Sequence, residues 1–410
     1  MNRKLTLWFM IALFATTFAK AGGYQINIQG IKQNGMGYIG TGFTLDASSV
    51  FFNPGGMSFI KTKYSFVAGV SGVFANTTFK KITPSAYQAQ TDNPLSPPLH
   101  FYGTYKINDK LSVGIGVNTP FGNSLKWGDT WDGRYLITDI SFHAFNFQPT
   151  LSYKFCDYFS IGAGFNYMSG TVSLSKMLPV SDASGEGKST LEGNTSNFGY
   201  SIGIMAKPTA NFGIGITYRS KIEMKLEGGD VTFKIPASLS ANFPSGVTFD
   251  AMLPMPANLN IGISYQVNDK LLIGADLNYV FWSVYDSLIF DFSPNTSSLE
   301  DSRNPRLYED APVIRVGAQY QYNDKLTCRA GAYFDKSPVK DDYLNPETPS
   351  TNQIGLSLGA SYKVSDKLNI DASFVYLMGL QRDANYSPAN FAGTYKSTTL
   401  LPGIGVSYNF

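Results

Sequence analysis

From about Phe59 onward the chain alternates apolar residues with small or polar ones, and this period of two dictates strands rather than helices. Near the C-terminus Ile404, Val406, Tyr408 and Phe410 share one face, while Gly403, Gly405, Ser407 and Asn409 share the other. In 313–322, Val316, Ala318, Tyr320 and Tyr322 oppose Arg315, Gly317, Gln319 and Gln321. In 368–378, Leu368, Ile370, Ala372, Phe374, Tyr376 and Met378 oppose Asn369, Asp371 and Ser373. Fourteen such segments begin near residues 59, 98, 111, 140, 158, 196, 211, 256, 271, 311, 325, 351, 367 and 396.

Turn chemistry orders them into hairpins. Tyr105-Lys-Ile-Asn-Asp-Lys-Leu111 is repeated almost unchanged at 265–271, 320–326 and 362–368, each placing Asn/Ser-Asp-Lys between two alternating runs. Asn and Asp favour tight turns through local hydrogen bonds. With Phe155-Cys-Asp-Tyr158 and Pro208-Thr-Ala-Asn211 these make six short connections. The other seven are expected to be long and rich in Pro, Gly, Ser and Asp, as in 76–97, 227–255 and 335–350. Short turns at one end and long loops at the other suit a barrel that crosses an outer membrane.

A water-soluble sandwich would turn its polar stripes to bulk water and fill them with charge. Here only 15% of residues are charged, against about a quarter in soluble domains, and the polar stripe is mostly Gly, Ser, Asn and Gln. Tyr105, Tyr265, Tyr320, Tyr322, Tyr362, Phe281 and Trp282 gather near strand ends, as interfacial girdles do. The expectation is therefore an all-β fold, a 14-stranded antiparallel transmembrane β-barrel.

Arg3 and Lys4, the apolar run Leu5 to Phe18, and Ala19-Lys20-Ala21 follow the order of a secretory signal peptide, expected over 1–21. About 14 apolar residues fall short of the roughly 20 that span a bilayer as a helix. Cleavage after Ala21 would take the formal charge from +2 to −1. The barrel, 59–410, is too wide for its own side chains to fill, so it holds water or a plug. Residues 22–58 are available as that plug: charge-poor, with Gly30, Gly35, Gly37, Gly40 and Gly42 to let an irregular backbone fold tightly. The Gly-Thr-Gly at 40–42 lacks the Lys-Ser/Thr of a phosphate loop.

Gly22-Gly-Tyr-Gln-Ile-Asn27, Gly35-Met-Gly37, Gly40-Thr-Gly42 and Val50-Phe-Phe-Asn-Pro54 resemble the N-terminal hatch of the FadL-type outer-membrane transporters. The resemblance continues through Gly116-Val-Asn-Thr-Pro-Phe-Gly122, Trp131-Asp-Gly-Arg-Tyr135, Ile216-Thr-Tyr-Arg-Ser220, Trp282-Ser and Phe334-Asp-Lys-Ser-Pro338. It implies a hatch inside a fourteen-stranded barrel, located in a bacterial outer membrane with both termini periplasmic. It further implies passive transport of hydrophobic molecules, long-chain fatty acids first among them: capture in an apolar pocket, hatch rearrangement, and sideways exit through a gap in the third strand. That gap falls on Asn118, Thr119, Pro120, Phe121 and Gly122. The residues agree, since Pro120 has no N–H to give a ladder, although a proline here could simply end the strand. The hatch's Asn-Pro-Ala turn falls on Asn53, Pro54 and Gly55, with Gly in the third place.

For a carboxylate head, the family's basic residue at the end of strand five falls on Lys176, and a second falls on Glu309, which favours a neutral cargo. Arg219, Arg315 and Arg329 are lumen-side alternatives, or members of an internal network with Asp276, Asp335 and Asp371. Phe51, Phe52, Leu178, Met252, Leu253 and Met255 are candidate pocket lining. The expected partners are a fatty acid-like ligand, outer-membrane lipid and lipopolysaccharide, with the protein a monomer and no cofactor.

Other classes are weaker. Two Cys and two His exclude a CxxC zinc site or a histidine-rich metal centre, and no basic stripe marks nucleic-acid binding. Cys156 and Cys328 are expected as unpaired thiols. His143-Ala-Phe-Asn146 carries no serine for nucleophilic catalysis, so an enzyme is not expected. A general porin, or an adhesin or receptor acting through the long loops, remains an alternative.

Overall fold

The computed structural model describes residues 23–82, 86–183, 185–295 and 300–410; the expected signal peptide lies outside the described residues. Fourteen strands form a ring: β1 Tyr64–Ser71, β2 Leu99–Lys106, β3 Leu111–Lys126, β4 Asp139–Cys156, β5 Phe159–Asp182, β6 Gly185–Thr209 and β7 Phe212–Arg219. The rest are β8 Asn258–Asn268, β9 Leu271–Val280, β10 Ala311–Gln321, β11 Leu326–Asp335, β12 Gln353–Lys363, β13 Leu368–Gly379 and β14 Phe391–Asn409. Each pairs antiparallel with its predecessor. The ring closes where β14 meets β1, with Phe66 opposite Tyr408.

Side chains are distributed inside out relative to a water-soluble protein. Ser160, Ser201 and Thr217 are completely buried, whereas Leu151, Ile314, Leu356 and Leu358 are at least 50% exposed. At roughly 25 cal/mol per Å² of apolar surface, such a distribution is stable only against an apolar surrounding. On β4 the outward row Phe155, Tyr153, Leu151, Phe147 and Phe145 is exposed throughout. Ten residues at about 3.3 Å each, tilted about 40°, give a band about 25 Å tall, the height of a bilayer's hydrocarbon. The free thiols Cys156 and Cys328 lie on β4 and β11.

Turns of two to four residues close one end of the cylinder. Their repeated sequence has a simple function: the Asn108 side chain accepts from Lys110 N and Leu111 N, both at 2.9 Å, and Asn268 and Asn323 do the same in their turns. Ser365 takes that role in the fourth copy.

The opposite end departs from the sequence reading at one connection. β5 and β6 continue as a paired ribbon out to Asp182 opposite Gly185, instead of ending in a long loop before a strand near 196. Leu174 and Leu191 of this ribbon are buried, but Gly185-Glu-Gly-Lys-Ser-Thr190 puts small, polar and charged residues on both faces of the returning strand, and the alternation fades there. Strands at 222–234, 248–255, 287–293 and 302–305 extend this outer sheet from β6. A further strand, 74–81, prolongs β1 beside β14. Trp282 is a second correction. It is not a girdle residue but a buried one, 4.9 Å ring to ring from Tyr24.

Residues 24–59 lie within the ring. Their helical turns α1 Ile31–Asn34 and α2 Ser49–Phe52 and a 3₁₀ turn, Pro54–Phe59, cross the bore, α1 against β12 and β13 and the 3₁₀ turn against β4, β5 and β6.

Candidate functional site

The plug rests on bare backbone. Inward-facing Gly162, Gly203, Gly215, Gly262, Gly317, Gly331 and Gly359 stand opposite Pro54, Asn53–Pro54, Thr41, Gly42, Met36, Gly37 and Gly35. A Cβ on any of these wall glycines would come closer than 3.0 Å to plug backbone. Asn53 pins the same contact: its Nδ2 donates to Thr41 O at 2.8 Å and Ile204 O at 2.9 Å, and its Oδ1 accepts from Gly55 N at 3.0 Å. Gly55 O accepts from Ser160 Oγ at 2.6 Å. A Cβ at position 55 would sit 2.8 Å from Gly203 O, which is why Gly follows Asn53-Pro54 here.

Charge finishes the seat. Lys32 Nζ lies 2.9 Å from Asp46 Oδ2, 3.7 Å from Asp371 Oδ2 and 2.9 Å from Ser407 Oγ. Asp276 accepts from Gly40 N and Thr41 N at 2.9 and 3.0 Å. Arg219 donates to Phe51 O, and its guanidinium lies 3.7 Å from the Phe51 ring centroid. Arg315 stacks at 4.8 Å on Tyr38 and reaches Asn27 Oδ1 at 3.3 Å. Arg329 bonds Ser361, which donates to Asp371.

Strand β3 breaks where Pro120 falls. Its pairing with β2 ends at Asn118 opposite His100. On the β4 side Thr119 and Pro120 together oppose Phe145, between the pairs Asn118–Asn146 and Phe121–Ala144. The start of the plug takes over the vacated edge: Ile26 N donates to Pro120 O at 2.9 Å, Gly122 N to Tyr24 O at 3.1 Å, and Gln29 Nε2 to Thr119 O at 2.8 Å. A cavity with about 1920 Å³ of empty space runs along this break, from Asn27 and Tyr333 past Thr119, Phe121 and Gly122 to His143, Phe145, Leu95 and Leu99.

A second cavity, about 750 Å³ of empty space, lies toward the long-loop end. Ile140, Phe142, Leu174, Met224, Leu226, Phe249, Met252, Leu253, Leu288 and Phe290 line it. No Lys, Arg or His belongs to the lining, and its one carboxylate, Glu347, is paired with Arg306 Nη2 at 2.5 Å. Asn123 and Phe142 line both cavities, and Tyr24 borders the apolar one with Gly23 and Gln25 beside the other. Tyr24 is thus the partition, its hydroxyl donating to Pro254 O and its ring against Trp282, Tyr285 and Phe142.

The candidate ligand residues therefore divide. Met252 and Leu253 line the apolar cavity. Phe51 and Phe52 pack with Tyr38, Val50 and Met57 of the plug and with Tyr102 of β2, and Arg219 and Arg315 brace them. Lys176 and Leu178 lie on outer β5 opposite Ser189 and Gly187, away from that lining, and Glu309 lies 3.5 Å from Lys340. Asn118 to Gly122 do meet at one break, as do Asn53, Pro54 and Gly55 at one seat. Sequence reasoning passed over Tyr24, whose only signal was its place in the Gly-Tyr-Gln run. It also passed over Ser141, whose Oγ lies 3.0 Å from His143 Nε2; among the described residues no third group orients that ring, so the pair is not a catalytic triad.

Residues 12–410 match the family described as outer membrane protein transport protein (OMPP1/FadL/TodX). The chain is 24% identical over 460 residues to outer membrane protein P1 of Haemophilus influenzae, covering 97% of each. It is 24% identical over 450 residues to the long-chain fatty acid transport protein of Escherichia coli K12, covering 99% of this chain and 98% of that one. The crystal structure of a Pseudomonas aeruginosa FadL homologue superposes with a TM-score of 0.83 at 21% identity, over 95% of this chain and all of that one. The Pseudomonas putida protein TodX superposes with a TM-score of 0.73 at 16% identity, over 93% and 98%. A closed barrel with an apolar outer band, matched along almost its whole length, makes this chain a member of the OMPP1/FadL/TodX family of outer-membrane transport proteins.

Proposed function

We propose that hydrophobic molecules, with long-chain fatty acids the first cargo to test, pass through this protein without an energy source, with both termini periplasmic and the long loops outside. Cargo enters the apolar cavity under those loops, where each buried CH₂ gains about 0.8 kcal/mol. It passes Tyr24 when residues 24–29 leave the β3 edge, and moves sideways into the bilayer between Thr119–Gly122 and Leu95–Leu99. The observation that carries this reading is the break in β3, covered from within only by the plug's first residues. Peeling away a few hydrogen bonds at about 1 kcal/mol each is easier than lifting a plug seated on seven wall glycines. Relatives named for long-chain fatty acid and toluene transport carry cargo with an apolar body, consistent with a lining that is apolar apart from a carboxylate already paired with Arg306.

The test is Gly122→Trp. A Cβ at 122 already lies 2.7 Å from Ile26 Cδ1, so an indole there blocks the passage. Uptake of radiolabelled cargo by cells should fall by an order of magnitude while the purified variant still binds it. Uptake at the unmodified rate would remove the sideways route. Large, steady conductance of the unmodified protein in planar bilayers would instead point to an open porin.

A further inference from the structure

The outward lip of the β3 opening is not uniformly greasy. Along β4 the apolar part of the exposed row ends at Phe145; the next outward residues are His143, exposed, and Ser141, half-buried. With Phe155 and Phe145 marking the two edges of a band about 25 Å tall, His143 stands just past it, where outer-leaflet hydrocarbon gives way to headgroups. His143 lies opposite Gly122 across β3 and β4, and Ser141 Oγ is 3.0 Å from its Nε2. Ser124, opposite Ser141, and Asn93 add hydrogen-bonding groups to the same cavity wall. Leu95, Leu99 and Phe145 form its apolar side. Among the residues lining this cavity, His143 alone can carry positive charge; Asp335 on the lumen side is the one carboxylate.

Resting on the sideways route proposed above, we infer that Ser141 and His143 form a headgroup site at the exit, for amphiphiles that end in a carboxylate. A carboxylate leaving the bore cannot follow its tail into hydrocarbon without losing its hydrogen bonds. At this lip it keeps them: the serine hydroxyl and the imidazole receive the head at headgroup level while the tail swings past Phe145 into the acyl layer, as amphipathic groups do at membrane interfaces. The apolar capture cavity holds no cation to select such a head, so this site supplies the discrimination that the cavity lacks. A hydrocarbon of the same length has no use for it.

The experiment compares hexadecanoate with hexadecane, which share a tail and differ in the head. Uptake of both radiolabelled cargoes is measured in cells carrying the unmodified protein, the S141A/H143A double variant, S141A/H143K and G122W. Hexadecanoate binding to each purified protein is measured alongside. In S141A/H143A the ratio of hexadecanoate to hexadecane uptake should fall about tenfold, the scale of losing hydrogen bonds to a charged group, with hexadecane uptake unmoved. S141A/H143K should recover most of the ratio. An unchanged ratio in S141A/H143A, or equal losses for both cargoes, overturns the headgroup site while G122W still blocks both. If G122W blocks neither cargo, the sideways route fails and takes the site with it.

Discussion

The Lys32 ammonium lies 2.9 Å from the Asp46 carboxylate, with Asp46 almost wholly enclosed and Lys32 nearly so, and both belong to the plug. Asp371 of β13 completes the cluster from the wall, through Lys32 and Ser407. Lys32→Met would take the cation from the buried Asp46 carboxylate, a change that costs about 3–5 kcal/mol. The barrel should survive and the plug should loosen, read as new proteolytic cleavage within 30–50 in the purified protein. The K32M/D46N double variant should regain much of the protection, because no unpaired charge then remains in the plug and Asp371 keeps Ser407, Ser361 and, through Ser361, Arg329.

Gly215→Leu tests the bare seat. Its side chain would occupy the space of the Thr41 carbonyl, and overpacking at one site costs about 1–3 kcal/mol. The expected outcome is a lower unfolding temperature together with flickering ion conductance in planar bilayers. Gly228→Leu, in the outer strand 222–234 with open space around its Cα, is the control; strain at its positive φ stays local and conductance should remain silent.

Asn53→Ala removes donors to Thr41 O and Ile204 O in one step. The Thr41 carbonyl left without a partner costs about 1–3 kcal/mol, while Ile204 stays in the β6 ladders. Hydrogen exchange should speed up at Gly55 and Gly56 while the β8–β13 ladders stay protected.

Tyr24→Phe separates the hydroxyl from the ring. It loses only the bond to Pro254 O and should leave transport within about twofold. Tyr24→Ala removes the partition, and cargo uptake should rise several-fold, since the apolar cavity and the β3 cavity then join through Phe142. Uptake that does not change in Y24A would show that the barrier lies elsewhere.

The loop at 127–138 provides a pH prediction outside the lipid band. Hydrogen bonds from Arg134 and then Tyr135 hold the Glu186 carboxyl down at about 2. A lowered carboxyl pKa contributes stability that is whole above the ordinary carboxylate range and fades as pH falls toward about 2. Protease cleavage in this loop should therefore be unchanged from pH 8 to 5 and increase below about 4. Glu186→Gln should show the loosened behaviour at neutral pH.

Much of the barrel was legible because lipid outside and a plugged bore inside oppose each other at every strand, which writes a period of two into the sequence. The turn repeats were legible for a similar reason: Asn108, Asn268 and Asn323 act only on their immediate neighbours. The β5–β6 ribbon reads as a loop because Gly185-Glu-Gly-Lys-Ser-Thr190 interrupts the alternation with small and charged residues. Trp282 reads as a girdle residue because sequence position near a strand end does not reveal which way the chain turns after Val280. The apolar cavity was least legible. Its lining comes from the plug, β3 to β6, three outer strands and two loops, and no local pattern ties Leu174 to Leu288.

The wall glycines carry a consequence for biogenesis. Plug and cylinder meet backbone to backbone, and the cylinder is sealed where the chain's first strand meets its last. A segment entering a finished ring would have to slide past wall backbone that leaves no room for a Cβ. Seating the N-terminal residues before β14 docks on β1 avoids that passage, so the favoured order of assembly closes a half-cylinder that is already filled.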